Sequence, residues 1–177
     1  MFDQSSETTI TAPMLLSGTP KKFPCPNLER KGLYMLLSNK EIPDEYHWGL
    51  LVATDSASGI FFHRSLTGQE WKLVIENKNL AEASDLLAAL KLGVVEDISD
   101  KWIQRMKESV REVRVQGELT CRTWALTALY ELANEGFLGM MAEWDKIRSI
   151  ELEAKYLAQD AWVAKRALVA RSKWSVP

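Results

Sequence analysis

Residues 46–65 read YHWGLLVATDSASGIFFHRS and contain both histidines of the chain, His47 and His63. Two runs rich in β-branched, aromatic and other apolar residues flank the polar segment DSASG, a pattern typical of a β-hairpin. Pairing of the two strands would bring the two imidazoles close together. The sequence therefore predicts a shared histidine site on this hairpin, which would need a third residue from elsewhere in the chain.

Further strands are predicted on both sides of the hairpin. GLYMLLS precedes it, and WKLVIE follows it with Trp71, Leu73 and Ile75 alternating with Lys72 and Glu76. Sequential strands joined by short turns indicate an antiparallel meander.

After Asn77 the apolar spacing changes to the period of a helix. Helices are predicted over NLAEASDLLAALKLG with Gly93 as its stop, from Ser99 to about Val113, over TCRTWALTALYELANEG, and from Met140 to Arg171 with a possible break near Ser149. Strands followed by helices predict an α+β fold.

The N-terminal region differs in composition from the rest. Residues 1–30 are rich in Ser, Thr and Pro and are predicted to be an arm, with a short strand around Ile10–Leu16; residues 31–177 are predicted to form a single domain. The net charge of −2 gives no reason to expect nucleic acid or an anionic membrane as partner. The chain lacks a signal-peptide pattern, a long apolar run and a cysteine framework, so we expect a soluble, cytoplasmic protein with reduced thiols.

Cys121 begins the clearest predicted helix, and two interpretations compete for it. Residues 121, 124, 125, 128, 129 and 132 are spaced as one apolar helix face, which predicts a buried cysteine. The first turn of a helix also stabilises a thiolate, which would suit a nucleophile. A nucleophilic cysteine requires a base within reach, and the chain offers only His47 and His63.

The motifs HWGLLV, GIFFH and TCRTWALTAL together resemble the circularly permuted branch of the papain-like cysteine fold. This branch includes lecithin:retinol acyltransferase and the H-Ras-like suppressor acyltransferases, and the chain is also similar to small uncharacterised fungal proteins. The resemblance covers roughly residues 32–135. It implies that Cys121 is the nucleophile, that His47 accepts its proton, and that His63 orients His47. The sequence departs from the family in having Thr120 where the family has Asn.

The resemblance implies acyl transfer or hydrolysis of an ester, thioester or amide through an acyl-cysteine, with a small-molecule or acyl-chain substrate. Trp48 and Arg122 are candidate substrate-binding residues, although Arg122 also fits a solvated helix position. No cofactor is needed, and one cysteine with two histidines is a weak zinc set. Two alternatives remain: a biosynthetic cyclase or condensing enzyme, in which His47 could act by acid–base catalysis alone, and a non-catalytic domain that binds an apolar ligand.

Overall fold

A computed structural model describes residues 26–176 and confirms the α+β class. The predicted strand around Ile10–Leu16 and Cys25 lie outside the described residues. In chain order the elements are β1 (Gly32–Asn39), β2 (Tyr46–Ala53), β3 (Ser58–Thr67), β4 (Glu70–Asn79), β5 (Leu86–Val94), α1 (Asp100–Glu112), α2 (Cys121–Asn134), α3 (Trp144–Ala164) and β6 (Leu168–Arg171).

The predicted meander is present as strands β1 to β4, each antiparallel to the next. The hairpin of β2 and β3 turns at Asp55, whose carboxylate accepts hydrogen bonds from the backbone N–H groups of Ala57 and Ser58 at 2.8 Å each. Gly59 allows the strands to approach, since a Cβ there would lie 2.2 Å from the Val52 carbonyl oxygen. The turn and this glycine fix the register that places the histidines.

The prediction of a helix ending at Gly93 was wrong, because this segment contains strand β5. The sheet order is β4-β3-β2-β1-β5-β6, so β5 is an interior strand, antiparallel to β1 and parallel to β6. The sheet is therefore mixed rather than purely antiparallel. Residues 86–93 are all buried. An interior strand that is apolar on both faces gives a continuous apolar run, which periodicity alone does not distinguish from a buried helix.

The other helix predictions are largely confirmed. Thr120 caps α2 in a reciprocal capping box with Thr123, and Gly136 follows the helix with a φ of 82°. The helix α3 is continuous through Ser149, where a break was predicted. It ends at Ala164, and the segment 168–171 that was predicted as helix is strand β6.

The two faces of the sheet bury different residues. One face, which we call the helix face, packs against α1, α2 and α3 and carries Trp48, Leu50 and Val52 from β2. The opposite face, which we call the far face, carries Leu51 and Ala53 of the same strand in a second, smaller core. This core also contains Leu28, Tyr34, Leu36, Phe61, Leu80, Leu86 and Ala89. Alternate residues along each strand therefore belong to different environments.

Candidate functional site

The hairpin brings the two histidines together, as the sequence predicts. His63 pairs in register with Gly49, two residues after His47. The His63 ring stacks on Phe61 with a centroid distance of 4.4 Å, and the His47 ring meets the edge of Phe61 at 6.5 Å. Because Phe61 belongs to the second core, both imidazoles lie on the far face.

The two rings and a carboxylate form a hydrogen-bonded chain. His47 Nε2 lies 2.8 Å from His63 Nδ1, and His63 Nε2 lies 3.0 Å from Glu76 Oε1. A carboxylate only accepts, so the proton of neutral His63 is on Nε2 and its Nδ1 accepts the Nε2–H of His47. Neutral His47 therefore has its lone pair on Nδ1. We call the three residues the histidine relay.

Burial and neighbouring charge keep the relay neutral. Burial, followed by the charge of His63 and then the cations Lys40 and Lys78, lowers the pKa of His47 to about 4, with Asp85 opposing. Burial also lowers the pKa of His63, and the hydrogen bond and charge of Glu76 oppose that effect. At pH 7 both rings are uncharged, so Nδ1 of His47 is available to accept a proton.

Two lysines, Lys40 and Lys78, act on the relay together with the carboxylates of Asp85 and Glu76. The Lys78 ammonium lies 5.0 Å from the centroid of the Phe61 ring, against which both imidazoles pack. Lys40 directly follows β1, whose residue Ser38 is the register partner of His47. After burial and the charge of His63, the positive charges of both lysines also lower the pKa of His47, and Asp85 opposes them. An anionic group near His47 would be stabilised by these lysines.

Cys121 lies on the helix face, separate from the relay. Its side chain is only 3% exposed and belongs to the same core as Trp124 and Trp48. Its Sγ–H donates to the Tyr46 carbonyl oxygen over 3.8 Å. Within residues 26–176 no hydrogen bond joins Sγ to either imidazole. The Cys121–His47 pair that the resemblance implies is therefore not formed in this structure.

The two candidate substrate-binding residues have structural contacts. Trp48 is 2% exposed in the core of the helix face. Arg122 forms an ion pair with Glu151 at 2.5 Å, and Lys155 approaches the same carboxylate oxygen at 3.0 Å. Neither side chain is directed to the relay by these contacts, and the position of Arg122 is explained by its pairing between α2 and α3.

Sequence reasoning missed Glu76. In WKLVIE the residues Trp71, Leu73 and Ile75 alternate with Lys72, Val74 and Glu76, and this alternation gives Glu76 no role at the histidines. The register pairs His63 with Val74 and Phe61 with Glu76, so Glu76 is the diagonal neighbour of His63. The sequence signal that could have identified Glu76 is a carboxylate on β4, the strand that directly follows the one carrying His63. No set of three or more His, Cys, Asp or Glu side chains in residues 26–176 is arranged to hold a metal ion.

The fold and the site define an α+β protein with a mixed sheet and a histidine relay on the face opposite its helices. The chain belongs to DUF6914, a family of unknown function whose model matches residues 31–166. No curated protein and no solved structure matches the chain. None of the helices in the described part of the chain is both long and apolar enough to cross a membrane.

Proposed function

We propose that the protein is a proton-transfer enzyme in which His47 is the general base. The observation that carries this proposal is the chain of hydrogen bonds from Glu76 through His63 to His47, which fixes both tautomers and leaves the lone pair on Nδ1 of His47. A base held in one tautomer by a second group, itself oriented by a carboxylate, is the arrangement that general-base catalysis uses.

The relay supports the charge that proton transfer creates. Nδ1 of His47 takes a proton from a C–H, O–H or N–H group of the substrate, and the bonding electron pair stays on the substrate atom. The resulting imidazolium donates its Nε2–H to His63, and Glu76 stabilises the positive charge through His63. His63 and Glu76 are positioning residues. The substrate electron pair can then add to a carbonyl carbon of the same molecule and close a ring, which is the chemistry of a cyclase. The C=O π bond breaks as the new bond forms, and the resulting alkoxide oxygen takes the proton back from Nδ1 of His47.

The charges around the relay favour an anionic substrate. A base with a pKa of about 4 is neutral at pH 7 but weak. Lys40 and Lys78 contribute to that low pKa. An anionic substrate group near these lysines would neutralise them, so the basicity of His47 would rise when substrate binds. His47 would therefore be a stronger base in the substrate complex than in the free protein.

The base can be tested without knowing the substrate. 5-Nitrobenzisoxazole opens its ring when a base removes its C–H proton, and the product absorbs light. We expect the wild type to accelerate this reaction and His47→Gln to lose about 100-fold or more of that acceleration. Lys72→Gln, on the exposed surface of β4, is the control. No acceleration over free imidazole at equal concentration would contradict an accessible base at Nδ1.

Acyl transfer through Cys121 stays a second prediction. One observation favours it: Cys121 begins α2 and bonds to the carbonyl of Tyr46, the residue before His47. This mechanism would require β2 to rearrange, because the imidazole of His47 lies on the far face and the thiol of Cys121 on the helix face. The low exposure of Cys121 weighs against it.

Mass spectrometry separates the two mechanisms. The protein carrying Cys25→Ser is incubated with p-nitrophenyl acetate, and the acetylated residue is located. Rapid acetylation of Cys121 that His47→Gln abolishes would establish the acyl-cysteine mechanism and contradict our first proposal for His47. An unlabelled Cys121, together with base activity towards 5-nitrobenzisoxazole, would support the relay. Failure of both reactions would leave the non-catalytic ligand-binding domain as the better interpretation.

A further inference from the structure

A cavity of about 370 Å³ lies where the end of α3 meets the start of β5. Its walls include the apolar side chains of Leu86, Leu87 and Ala161 and the indole of Trp162, and the residues Lys165 and Arg166 complete it. The volume is within the range of about 300–1,000 Å³ that is usual for small-molecule sites. None of these residues belongs to the histidine relay or to the surroundings of Cys121.

The two cations of this cavity are uncompensated. Both Lys165 and Arg166 are exposed, and within residues 26–176 neither forms an ion pair with a carboxylate. Cations at the end of a helix are favoured by its dipole, and their stems can cover apolar surface. These two effects explain why cations are present at the end of α3. They do not explain why the cavity that these cations line is open.

The backbone at Lys165 adds a second observation. Lys165 ends α3 in the left-handed conformation, with a φ of 53°. Glycine or asparagine is the usual residue in this conformation, because a Cβ is disfavoured there. Lys31, Glu41 and Asp44 also have a positive φ, so this conformation is not confined to Lys165. At Lys165 it ends the helix beside the wall of the cavity.

Trp162 separates this cavity from a second one. The second cavity has a volume of about 240 Å³ and includes Ile42, Pro43, Tyr46 and Val163 among its lining residues. The side chain of Trp162 contributes to both walls and is 57% exposed. A large aromatic side chain left this exposed between two apolar cavities can be covered by a ligand that extends from one to the other.

We infer that the cavity beside Trp162 binds a small carboxylate with an apolar tail. The carboxylate meets Lys165 and Arg166, and the tail lies on Trp162 and against Leu86 and Leu87. This inference is independent of the function proposed for His47, because it concerns binding alone. Charge complementarity selects the anion, and the apolar walls select the tail.

Binding is measured with three probes of equal chain length at submicellar concentration: decanoate, decanol and decyltrimethylammonium. Calorimetry gives the affinity, and the difference in tryptophan fluorescence between wild type and Trp162→Phe isolates the signal of Trp162 among seven tryptophans. We expect saturable binding of decanoate, about tenfold weaker binding of decanol, and none of the cation. The fluorescence change should disappear in Trp162→Phe.

Variants then test the role of the two cations. Lys165→Ala/Arg166→Ala should weaken decanoate binding about tenfold and leave decanol binding unchanged. The control Lys72→Ala/Lys101→Ala removes the same charge from exposed sites on β4 and α1 and should leave both affinities unchanged. Three results would each overturn the inference. They are equal affinities for decanoate and decanol, an effect of the control pair as large as that of the test pair, and no saturable binding of decanoate up to about 1 mM.

Discussion

The two faces of the sheet use the same strands for different purposes. On the helix face, Trp48 and Leu50 pack against three helices in an apolar core. On the far face, His47 and His63 lie beside Phe61, His47 bonds to His63, and His63 bonds to Glu76. On the same face Lys91 is paired with Glu29. Along β2 and β3, strand alternation therefore places neighbouring residues either in the helix-packed core or beside the relay. Substitutions in either core should change mainly stability, whereas substitutions at His47, His63 and Glu76 should also change proton binding.

The largest expected effect is on the helix face. Leu129→Ala removes a fully buried side chain of α2 and should lower the free energy of unfolding by about 2–5 kcal/mol, since it leaves a cavity. Urea denaturation measures it, with Leu152→Ala on the exposed surface of α3 as control, expected to change stability by under about 0.5 kcal/mol. Equal losses in the two variants would contradict the assignment of the core.

The next effect, on the far face, depends on pH. The pKa of His47 is about 4 in the folded protein, against about 6.5 in an unfolded chain. Between these values the unfolded state binds more protons, so stability is lost as pH falls from about 6.5 to 4. We expect this ring to account for about 2 kcal/mol of that loss after allowance for solvent screening.

The measurement compares urea denaturation of the wild type and His47→Gln at several pH values. Carboxylates also titrate in this window, so the quantity of interest is the difference between the two proteins. That difference should change as pH falls from about 6.5 to 4, with the wild type losing more stability. A difference that stays constant across the window would show that His47 titrates normally in the folded protein.

A smaller effect concerns the end of the relay. Glu76→Gln removes the charge that raises the pKa of His63, so this pKa should fall further. The lost charged hydrogen bond, half exposed to solvent, should lower stability by about 1 kcal/mol. Titration of the imidazole nitrogens by NMR follows both rings, with Glu70→Gln on the same strand as control. An unchanged pKa of His63 in Glu76→Gln would contradict the proposed interaction between Glu76 and His63.

The smallest effect is expected at Arg122. Arg122→Ala should lower stability by about 0.5 kcal/mol, because Lys155 remains paired with Glu151. Arg122→Ala/Lys155→Ala should cost more than the sum of the single changes, since it leaves a largely buried carboxylate without a cation. Chemical denaturation of the three variants provides the test. Strictly additive losses would contradict a shared ion-pair network.

The hairpin and the helix α2 could be predicted because local chemistry specifies them. The segment DSASG has turn residues, and Thr120 and Gly136 are typical residues for the two ends of a helix. Strand β5 could not be predicted in this way, since an interior position in a sheet depends on β1 and β6, which are distant in sequence.

The candidate site was predictable only in part. The pairing of His47 with His63 followed from the hairpin, whereas the side of the sheet on which they lie depends on which face the helices cover. Once Trp48 is buried against α2, strand alternation directs His47 to the opposite face, away from Cys121. Glu76 was missed because its role depends on the exact register between β3 and β4, which sequence patterns do not give.

Because β6 is the last strand of the chain, the sheet can be completed only at the end of synthesis. Strand β6 is four residues long, follows all three helices and pairs with the outer edge of β5. Until β6 leaves the ribosome, β5 presents unpaired backbone groups along a strongly apolar strand, which is a template for association with another chain. Chains that end before Leu168 and are released from the ribosome should therefore aggregate more than released full-length chains, which sedimentation of the two translation products would reveal.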